Sequence, residues 1–455
     1  MSWTGTLNRA ARGSAFVFGV TAIGCVTGGS SEDGFTSVAE GDDESASATS
    51  AETEETGAST GTTLDGETSG ETGDCEDKDG DGWTTCDGDC CDGEGSICTG
   101  DTSLVNPGAF DVPGNNVDDD CNGTVDDVVT ACDADLDSDS SEALDYARAL
   151  DLCSVVEEDP SDPLERRWGV ISASITMTDG SSAPHAEGHS IRPDFGPSFT
   201  PSGGSSMVVL SSGAAADGTD TAPDFVVPQN GLNAGTGSGI SAPADWLSAN
   251  GGSFPNPLGC PAPTSTDAND AQMLTLRVRT PTNAKSFSVR MNFFSAEYPE
   301  WVCSEYNDFF VALIDSESDA NPADKNLATY DDGDELYPVG VNLVESADGI
   351  FSVCQNEATG CRAAALEGNY ASCTDFDALQ GTGFELEDGV CPTGAQGPNG
   401  GGTGWLQLVG NVEGGEVMTL RLAIWDTSGH LFDSTVLLDD WQWSLDAADA
   451  GVYIP

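Results

Sequence analysis

The sequence has very little positive charge. Its 455 residues include 14 Lys and Arg against 78 Asp and Glu, so the formal net charge is −64 at pH 7. A nucleic-acid backbone would be repelled by this charge, and no basic stripe is present to bind it, so nucleic acid is excluded as a partner. Anionic lipid surfaces are disfavoured as partners for the same reason. Divalent cations, in contrast, are attracted by the negative electrostatic field of the chain.

The motifs of common enzyme classes are also missing. The chain has 3 His, and it contains no G-x-S-x-G nucleophile motif and no Gly-rich phosphate loop. His185 and His189 do not form the H-E-x-x-H pattern of zinc proteases, and Pro184 and Gly188 oppose a helix there, so a surface loop is expected. Pairs of acids are too frequent in this chain to single out a glycosidase pair. The sequence therefore predicts a protein that is not an enzyme.

Long apolar runs are absent, and one short run lies near the N-terminus. Arg9 and Arg12 precede the apolar residues 15–23, a stretch too short to span a bilayer as a helix. The stretch leads to Cys25 and resembles a bacterial lipobox, in which the cysteine carries the lipid. This resemblance implies a lipoprotein signal peptide over residues 1–24, lipidation at Cys25 and a membrane partner reached through the lipid. The expected location is the cell surface, as an outer-membrane lipoprotein, with secretion as the alternative.

The next segment, residues 25–73, lacks Lys, Arg and Pro and is rich in Ser, Thr, Glu and Gly. It cannot bury enough apolar surface to offset the entropy lost on ordering, so a disordered tether is expected. A flexible coil of this length reaches roughly 35–40 Å root mean square, which would lift the folded part of the chain away from a membrane.

Residues 74–128 combine six cysteines and many Asp and Gly residues with few apolar side chains. Such a segment cannot fold by burying a core, so we expect disulfides and bound cations to hold it together. Without Cys25 the chain keeps 14 of its 15 cysteines, an even number that indicates disulfides and an oxidising compartment. We call residues 74–128 the module.

Two loops of the module have the spacing of a calcium site. Side chains at alternate positions before a Gly converge on one hard cation, and oxygen ligands without His favour calcium over a transition metal. The second loop resembles those of thrombospondin type 3 repeats. The alternative is a solvated acidic loop held by disulfides alone. The predicted calcium ligands are Asp77, Asp79, Asp81, Asp87 and Asp89 in the first loop, and Asp118, Asp120, Asn122 and Asp126 in the second.

A short helical connector is expected over residues 129–164. Its apolar side chains recur at helical spacing, and a disulfide between Cys132 and Cys153 would staple the helix to the loop before it. The predicted stripe consists of Ala143, Leu144, Ala147, Leu150 and Leu152.

From residue 165 to residue 455 the chain consists of short β-type runs separated by Gly, Pro, Asn and Asp. In one of them Leu274, Leu276 and Val278 alternate with polar residues, which is the period of a strand with one wet face. Many such strands with long loops predict a mainly β chain with a jelly-roll-like β-sandwich. The expected strands are 168–178, 207–210, 273–280, 285–294, 309–315, 405–409, 416–425 and 435–443.

The β-rich region also contains cysteines and tryptophans that bear on its fold. The cysteines allow up to three disulfides of undetermined connectivity. The tryptophans could form a sugar-stacking platform, although core packing is the favoured interpretation. The cysteines are Cys260, Cys303, Cys354, Cys361, Cys373 and Cys391, and the tryptophans are Trp301, Trp405, Trp425, Trp441 and Trp443.

Two stretches resemble known families. Residues 74–127 resemble the MopE-type metal-binding motif of bacterial surface proteins, from which the pair Cys91 and Cys98 departs as an addition. The matching residues are Asp77, Asp79, Asp81, Gly88, Asp89, Cys90, the run 105–109, Gly114, Asn115, Asp118, Asp119, Asp120, Cys121 and Gly123.

The second resemblance, to the choice-of-anchor L domain, would span roughly residues 168–445. It rests on segments 293–300, 305–310 and 431–439, with the sequences FFSAEYPE, EYNDFF and LFDSTVLLD. It implies surface display on a β-rich domain and supplies no catalytic residues. Acids and one amide within these segments are predicted to build a second calcium site in the sandwich. They are Glu297, Asn307, Asp308, Asp433 and Asp439.

Together these patterns predict a cell-surface lipoprotein. A calcium-stabilised spacer module would display a β-sandwich for binding or adhesion, with an extracellular glycan or protein as the ligand. Two alternatives remain from other classes of protein. One is an extracellular hydrolase acting on polysaccharide or protein, and the other is a passive structural component of the cell surface.

Overall fold

A computed structural model of the chain describes the folded region after the predicted tether. The signal peptide, Cys25 and the tether lie outside the described residues, as do Cys361, Cys373 and Cys391. All described residues fall within one compact unit, Gly70–Pro455. They are residues 75–93, 98, 100–127, 130–181, 184–229, 240–256, 260–299, 301–331, 336–342, 350–354, 375–386 and 400–455.

Strands dominate this part of the chain, so the prediction of a mainly β fold is confirmed. Fourteen strands occur within the described ranges. They are β1 (Gly169–Thr176), β2 (His189–Arg192), β3 (Met207–Ser211), β4 (Asn269–Arg279), β5 (Ser286–Ser295), β6 (Phe309–Asp315), β7 (Thr329–Asp331), β8 (Leu336–Pro338), β9 (Val353–Cys354), β10 (Gly401–Gly402), β11 (Leu406–Asn411), β12 (Val417–Asp426), β13 (Ser434–Ser444) and β14 (Gly451–Tyr453).

The helices of the described ranges are short, and none has the length or apolar character needed to cross a bilayer. The α-helices are α1 (Ala143–Arg148), α2 (Ala244–Ala249) and α3 (Phe376–Leu379). The 3₁₀ turns are Thr85–Asp87, Thr102–Leu104, Pro163–Glu165 and Ala186–Gly188.

Two antiparallel sheets form the body of the molecule. The first has the strand order β1-β4-β12-β6, and the second has the order β14-β11-β5-β13-β3-β2. Strands β4, β5 and β6 alternate between the two sheets along the chain, and so do β11, β12 and β13. This alternation is the feature that the fold shares with jelly rolls, in which two sheets are wound together.

One apolar core lies between the two sheets. Leu274, Leu276 and Val278 of β4 are fully buried and contribute to it from the first sheet, while Val289 and Met291 of β5 contribute from the second. Side chains at every second position of a strand share a face, so the apolar sets of both sheets meet. Burying each such side chain contributes about 1.5–3 kcal/mol. The two sheets therefore form a sandwich.

Loops cover both outer faces of this sandwich. Trp246 of α2 packs with Phe309 and Trp425 outside the first sheet, and Phe195 packs on Phe294 outside the second. The wet face expected for β4 is therefore reduced to a few half-buried positions. The sequence pattern could not show this because the covering residues are remote in the chain.

The eight expected strands correspond to β1, β3, β4, β5, β6, β11, β12 and β13. Four further strands of the second sheet, β2, β9, β10 and β14, were not among the predicted runs. They contain two to four residues each, which is too few to establish a period of two.

The connector packs into the sandwich instead of standing apart from it. Tyr146 of α1, with Leu150 and Leu152 after it, is fully buried in the core between the sheets. A disulfide joins Cys132 to Cys153 around this helix.

Three further disulfides lie in the module and one lies in a loop of the sandwich. Cys354 is also disulfide-bonded. The pairs are Cys75–Cys86, Cys90–Cys121 and Cys91–Cys98 in the module, and Cys260–Cys303 in the sandwich.

The module is fixed to the turn between β4 and β5. Thr282 donates its main-chain N–H to the carbonyl of Gly108 at 3.0 Å, and the amide of Asn283 exchanges two hydrogen bonds with the backbone of Phe110. A Cβ on Gly108 would lie 2.9 Å from a methyl of Thr282 and 3.1 Å from the Trp83 ring, so this close approach requires glycine.

Candidate functional site

The first predicted loop folds around its own carboxylates. Asp77 accepts the N–H groups of Gly80 at 2.6 Å and Gly82 at 3.0 Å. Both glycines have a positive φ, +84° and +91°, which a residue with a Cβ rarely adopts. Asp81 accepts the N–H of Trp83 at 2.8 Å. These bonds turn the alternate Asp side chains toward one side of the loop.

Five acids come together there in two groups that share Asp79. One group adds Asp77 and Asp92 and the other adds Asp81 and Asp89, and within each group the ligand oxygens all lie within 4.8 Å of one another. We call these five residues the module centre. Asp92 was not predicted from the sequence, because it lies eleven positions beyond Asp81 and outside the alternating pattern of acids.

Asp87 is not among these acids, although the sequence predicted it as a ligand. Its carboxylate instead accepts the hydroxyl of Thr84 at 2.9 Å, at the start of a 3₁₀ turn. Asp87 and Asp89 are two residues apart, but the turn directs only Asp89 toward the loop.

The module centre is short of positive partners. Both carboxylate oxygens of Asp79 and one oxygen of Asp89 are buried and accept no hydrogen bond. Lys78 lies 3.8 Å from Asp92. Burial, together with the charges of Asp79 and Asp89, raises the pKa of Asp81 to about 6, and burial also raises the pKa of Asp89. A hard cation would relieve this repulsion.

Asn106 joins the module centre to the sandwich. Its buried amide donates to Asp81 at 2.8 Å, and its amide oxygen accepts from Gly108 N–H at 2.9 Å and from the Thr282 hydroxyl at 2.7 Å. One side chain thus positions a carboxylate of the centre and fastens the module to the turn before β5.

The second predicted loop is more open. Asp118 accepts the N–H groups of Asn122 and Gly123, both at 3.0 Å, and the Asn122 amide donates to Asp120 at 3.0 Å and to Asp127 at 2.9 Å. In the described residues, this loop contains no three acids whose oxygens lie within 4.8 Å of one another. An amide nitrogen lies between two of its carboxylates.

Asp126, which the sequence predicted as the closing ligand of this loop, forms a hydrogen bond with the backbone before the loop. It accepts the N–H of Asn116 at 3.0 Å. Its neighbour Asp127 faces Asn122 instead, and burial with the charges of Asp127 and Asp118 raises the pKa of Asp120.

A second concentration of acids lies at one end of the sandwich. The strand pairs Trp425↔Phe309, Asp426↔Asn269 and Ser434↔Ser295 place the ends of β12 and β5 beside the starts of β6, β4 and β13. Acids at these ends meet where the two sheets close. They are Asp270, Glu297, Asp308, Asp426 and Asp433, each no more than 3% exposed.

Asp308 is the hub of this group, which we call the sandwich cluster. Its carboxylate accepts the Thr427 N–H at 3.0 Å and the Ser434 hydroxyl at 2.7 Å, and so bridges the two sheets. Its own N–H donates to the Glu297 carboxylate. Burial raises the pKa of Glu297, Asp308 and Asp426 well above the usual range, and charges of neighbouring acids add to this.

Two of the five residues predicted for a second calcium site do not join this cluster. Asn307 turns its amide oxygen to the N–H of Asn342 at 2.8 Å. Asp439 lies about 20 Å along β13 from Asp433, at about 3.3 Å per residue, where it accepts the N–H of Ser202. Asp439 was predicted because it belongs to the same sequence motif as Asp433. Most of that motif is an extended strand, so the two residues lie far apart. Asp426 and Asp270 take part instead, and neither was predicted.

The comparison with protein families identifies this sandwich. The model of the choice-of-anchor L domain matches residues 206–442, just over half of the chain. The chain belongs to the choice-of-anchor L domain family. This family indicates a surface-associated protein of a non-enzymatic type. No curated protein and no solved structure matches the chain.

The three segments on which the resemblance to the choice-of-anchor L domain rests meet at the sandwich cluster. Segment 293–300 supplies Glu297, segment 305–310 supplies Asp308, and segment 431–439 supplies Asp433. The family match does not reach the module, so its MopE-type resemblance and the lipobox stay predictions.

A cleft of about 550 Å³ lies between the module and the choice-of-anchor L sandwich. Carboxylates from the module and aromatic rings from the sandwich line it. Its walls include Trp168, Trp441, Trp443, Asp111, Asp127 and Asp440.

The predicted tryptophan platform is divided among several places. Trp425 and Trp441 are buried core residues, the latter stacked on Phe287 at 4.4 Å. Trp301 lies against Tyr306, and Trp405 lies under the Arg290 guanidinium at 4.5 Å. Core packing therefore describes two of the five, Trp425 and Trp441, whereas Trp443 is half-buried at the cleft.

His185 and His189 lie on the turn before β2 and on β2 itself. His189 is 3.0 Å from the amide oxygen of Gln272, and the Nδ1 of His185 accepts the N–H of Glu187 at 3.3 Å. In the described part of the chain neither belongs to a group of three potential metal ligands.

Proposed function

We propose that this chain is a non-catalytic lipoprotein of the outer membrane. In this proposal a lipid on Cys25 anchors it, a calcium-loaded module is fixed to the choice-of-anchor L sandwich, and the cleft between them binds an extracellular glycan. The family supports surface association. The observation that carries the calcium part of the proposal is the module centre with its unpaired carboxylate oxygens.

Calcium is the cation that suits the module centre. Its side chains offer only carboxylate oxygens, and Ca²⁺ takes six to eight oxygen ligands in flexible geometry. Asp79 belongs to both groups of acids and has no hydrogen-bond donor on either oxygen. Without a cation, mutual repulsion of the carboxylates would oppose folding of a region with little apolar surface.

The calcium proposal is tested by comparing Asp79→Asn with Asp87→Asn in the full chain. Both changes remove one carboxylate charge from the same loop region, but only Asp79 belongs to the module centre. Calcium titration calorimetry should show at least a tenfold loss of affinity for Asp79→Asn and less than a twofold change for Asp87→Asn. Equal losses for both variants would mean that general acidity, and not this centre, binds the ion.

Limited proteolysis supplies the structural readout. Chelation should expose residues 75–127 to cleavage and leave the sandwich strands protected, and Asp79→Asn should behave like chelated parent protein even with calcium present. Identical fragment patterns with and without a chelator would contradict a structural role for the ion.

The cleft favours a glycan-binding function over a passive structural one. Trp168 and Trp443 lie in its wall at an interplanar angle of 76°, with their ring centroids 6.2 Å apart. Aromatic faces stack on the apolar faces of sugars, and carboxylates accept hydrogen bonds from sugar hydroxyls. Pockets that combine apolar rings with a few polar groups are typical ligand sites.

A glycan array probed with parent, Trp443→Phe and Trp405→Phe proteins tests this function. Both tryptophans are half-buried, Trp443 in β13 and Trp405 just before β11, but Trp405 lies under Arg290 and does not line the cleft. Binding to any glycan that the parent captures should fall at least fivefold for Trp443→Phe and persist for Trp405→Phe. Glycan capture that both variants retain in full would remove the cleft as the site, and an array without any captured glycan would remove this function.

Anchoring is tested separately in cells. A Cys25→Ser variant should move from the membrane fraction to the medium or periplasm, because the acyl chains have no other attachment point. Unchanged membrane fractionation of this variant would contradict the lipoprotein proposal.

A further inference from the structure

We propose that the sandwich cluster is itself a calcium site, in which Glu297, Asp308, Asp426 and Asp433 bind one ion at the closed end of the choice-of-anchor L sandwich. The proposal is independent of calcium binding in the module. It assigns a cation to the family domain itself.

The first observation is the burial of these four acids. Glu297, Asp308, Asp426 and Asp433 are between 1% and 3% exposed. Removing an unpaired carboxylate from water costs several kcal/mol, so a buried group must be neutralised by a proton, a basic side chain or a metal ion.

The second observation is that two of these acids have oxygen atoms without a hydrogen-bond donor. Both carboxylate oxygens of Asp426 and one of Glu297 are buried and accept no hydrogen bond. Among the described residues, the one neutral donor beside Asp426 is the Ser212 hydroxyl, which it shares with the Ser434 carbonyl, and its other close neighbour is the Asp308 carboxylate. Donors are therefore scarce around these oxygens.

A basic side chain does not supply the missing charge. The charges that act most strongly on Glu297, Asp308 and Asp426 are those of other acids. His430 is 2.8 Å from Asp270, but its ring is one third exposed at the rim of the cluster. It lies beside that acid at the rim, whereas no basic group of the described chain is among the neighbours that act most strongly on Glu297, Asp308 and Asp426.

A proton shared between Asp308 and Asp426 is the competing explanation. It would neutralise one charge of that pair, but the free oxygen of Glu297 would still have no donor. Asp308 also accepts two hydrogen bonds, from Thr427 and Ser434, which favour its ionised form. A divalent cation satisfies the free oxygens of both Glu297 and Asp426.

The chemistry of the ligands selects the ion. The cluster offers carboxylate oxygens without sulfur or imidazole among its four inner members, and such oxygens suit calcium or magnesium. Within the described ranges, only the acids of the module centre lie in threes within 4.8 Å, so the sandwich carboxylates must move closer around an ion. The larger ion with flexible geometry, calcium, tolerates this better. We expect weaker binding here than in the module centre.

The ion would join parts of the fold that are distant in the sequence. Glu297 follows β5, Asp308 precedes β6, Asp426 ends β12 and Asp433 precedes β13. One cation would therefore tie two strands of each sheet at the end where the sandwich closes. Its loss should loosen the loops between these strands and not the opposite end.

The test uses the full chain with the module centre disabled by Asp79→Asn and Asp81→Asn. Terbium is added as a calcium analogue, and its emission is excited through tryptophan. Trp425 adjoins Asp426, and Trp301 donates its N–H to the Glu297 carbonyl at 2.9 Å, so sensitised emission should appear and excess calcium should remove it. A folded module-disabled protein without such emission, and without bound calcium in equilibrium dialysis, would overturn the proposal.

Charge-neutral variants of the cluster provide the second readout. Compared with its module-disabled parent, Glu297→Gln with Asp426→Asn should bind about one calcium ion fewer per chain by metal analysis. It should also unfold at a higher temperature than that parent in chelator, since repulsion is removed, and gain less from calcium. Equal calcium content and equal gain would establish the shared proton instead. If these variants do not fold, the terbium result on the module-disabled chain decides alone.

The two calcium proposals fail in different ways. Loss of all bound calcium on disabling the module centre would remove the sandwich site and leave the module proposal intact. Calcium binding that depends only on Glu297 and Asp426 would remove the module proposal and leave the sandwich site intact.

Discussion

The module and the sandwich keep their folds by different means. In residues 75–127 three disulfides and a set of main-chain hydrogen bonds to carboxylates hold the chain, and few apolar side chains are buried. In the sandwich, apolar side chains from two sheets fill one continuous core. Charge at the surface of a cross-linked loop is tolerated, whereas charge in a core must be compensated. Both regions nevertheless contain a cluster of carboxylates, the module centre in one and the sandwich cluster in the other.

The largest effect is expected from the removal of a module disulfide, which should destabilise the module and not the sandwich. The Cys90–Cys121 bond closes a loop of sequence separation 31, so Cys90→Ala with Cys121→Ala should destabilise the module by about 3–4 kcal/mol. Hydrogen exchange should rise over residues 75–127 and stay low in β4 and β12. Equal loss of protection in both regions would show that they unfold together.

The reciprocal change removes apolar volume from the sandwich. Leu422 of β12 is fully buried between the sheets, and Leu422→Ala should lower the free energy of unfolding by about 3 kcal/mol. Denaturant unfolding followed by tryptophan fluorescence measures this. Calcium affinity of the module centre should stay within twofold of the parent, and a larger change would contradict independent stabilisation.

A smaller effect is expected where the two regions meet. Asn106→Ala removes the amide that bonds Asp81, Gly108 and Thr282, and leaving such buried groups unsatisfied costs about 1–3 kcal/mol. Both calcium affinity and the melting temperature should fall. Asn115→Ala is the control, because that exposed amide bonds Asp119 within the module. Loss of stability without loss of calcium affinity would show that Asn106 only docks the module.

The smallest effect depends on pH. Burial, then the charges of Asp439, Asp133 and Asp440, raises the pKa of Asp151 to about 7. The folded state therefore prefers protonated Asp151. This contribution is fully present below about pH 4, the usual pKa of Asp, and is lost as the pH rises through about 7.

Asp151→Asn should therefore stabilise the protein by about 1 kcal/mol at pH 8, a value reduced for solvent screening, and by nothing at pH 4. Asn also tolerates the left-handed backbone at this position, where φ is +66°. Melting curves of parent and variant at the two pH values measure the difference. A constant difference at both pH values would assign the effect to something other than ionisation.

Strand positions were largely predictable, because an alternating apolar pattern directly reflects which face of a strand is buried. The run 309–315, for example, is strand β6 itself. Loop carboxylates were only partly predictable. Spacing placed Asp77, Asp79 and Asp81 on one loop, but Asp92 joins them through a fold of the chain that no local pattern encodes. The turn geometry that separates Asp87 from Asp89 was equally hidden.

The sequence by itself determined the charge, the strand pattern and the first calcium-type loop, because each of these depends on residues that are near neighbours in the chain. Tertiary structure alone decided which distant acids share a site. Asp426 joins Glu297, Asp308 and Asp433 because strand register brings the ends of four strands together, and Asp439 is excluded because the same strand carries it away. Register is fixed by the packing of whole sheets, so such a cluster cannot be derived from any one segment.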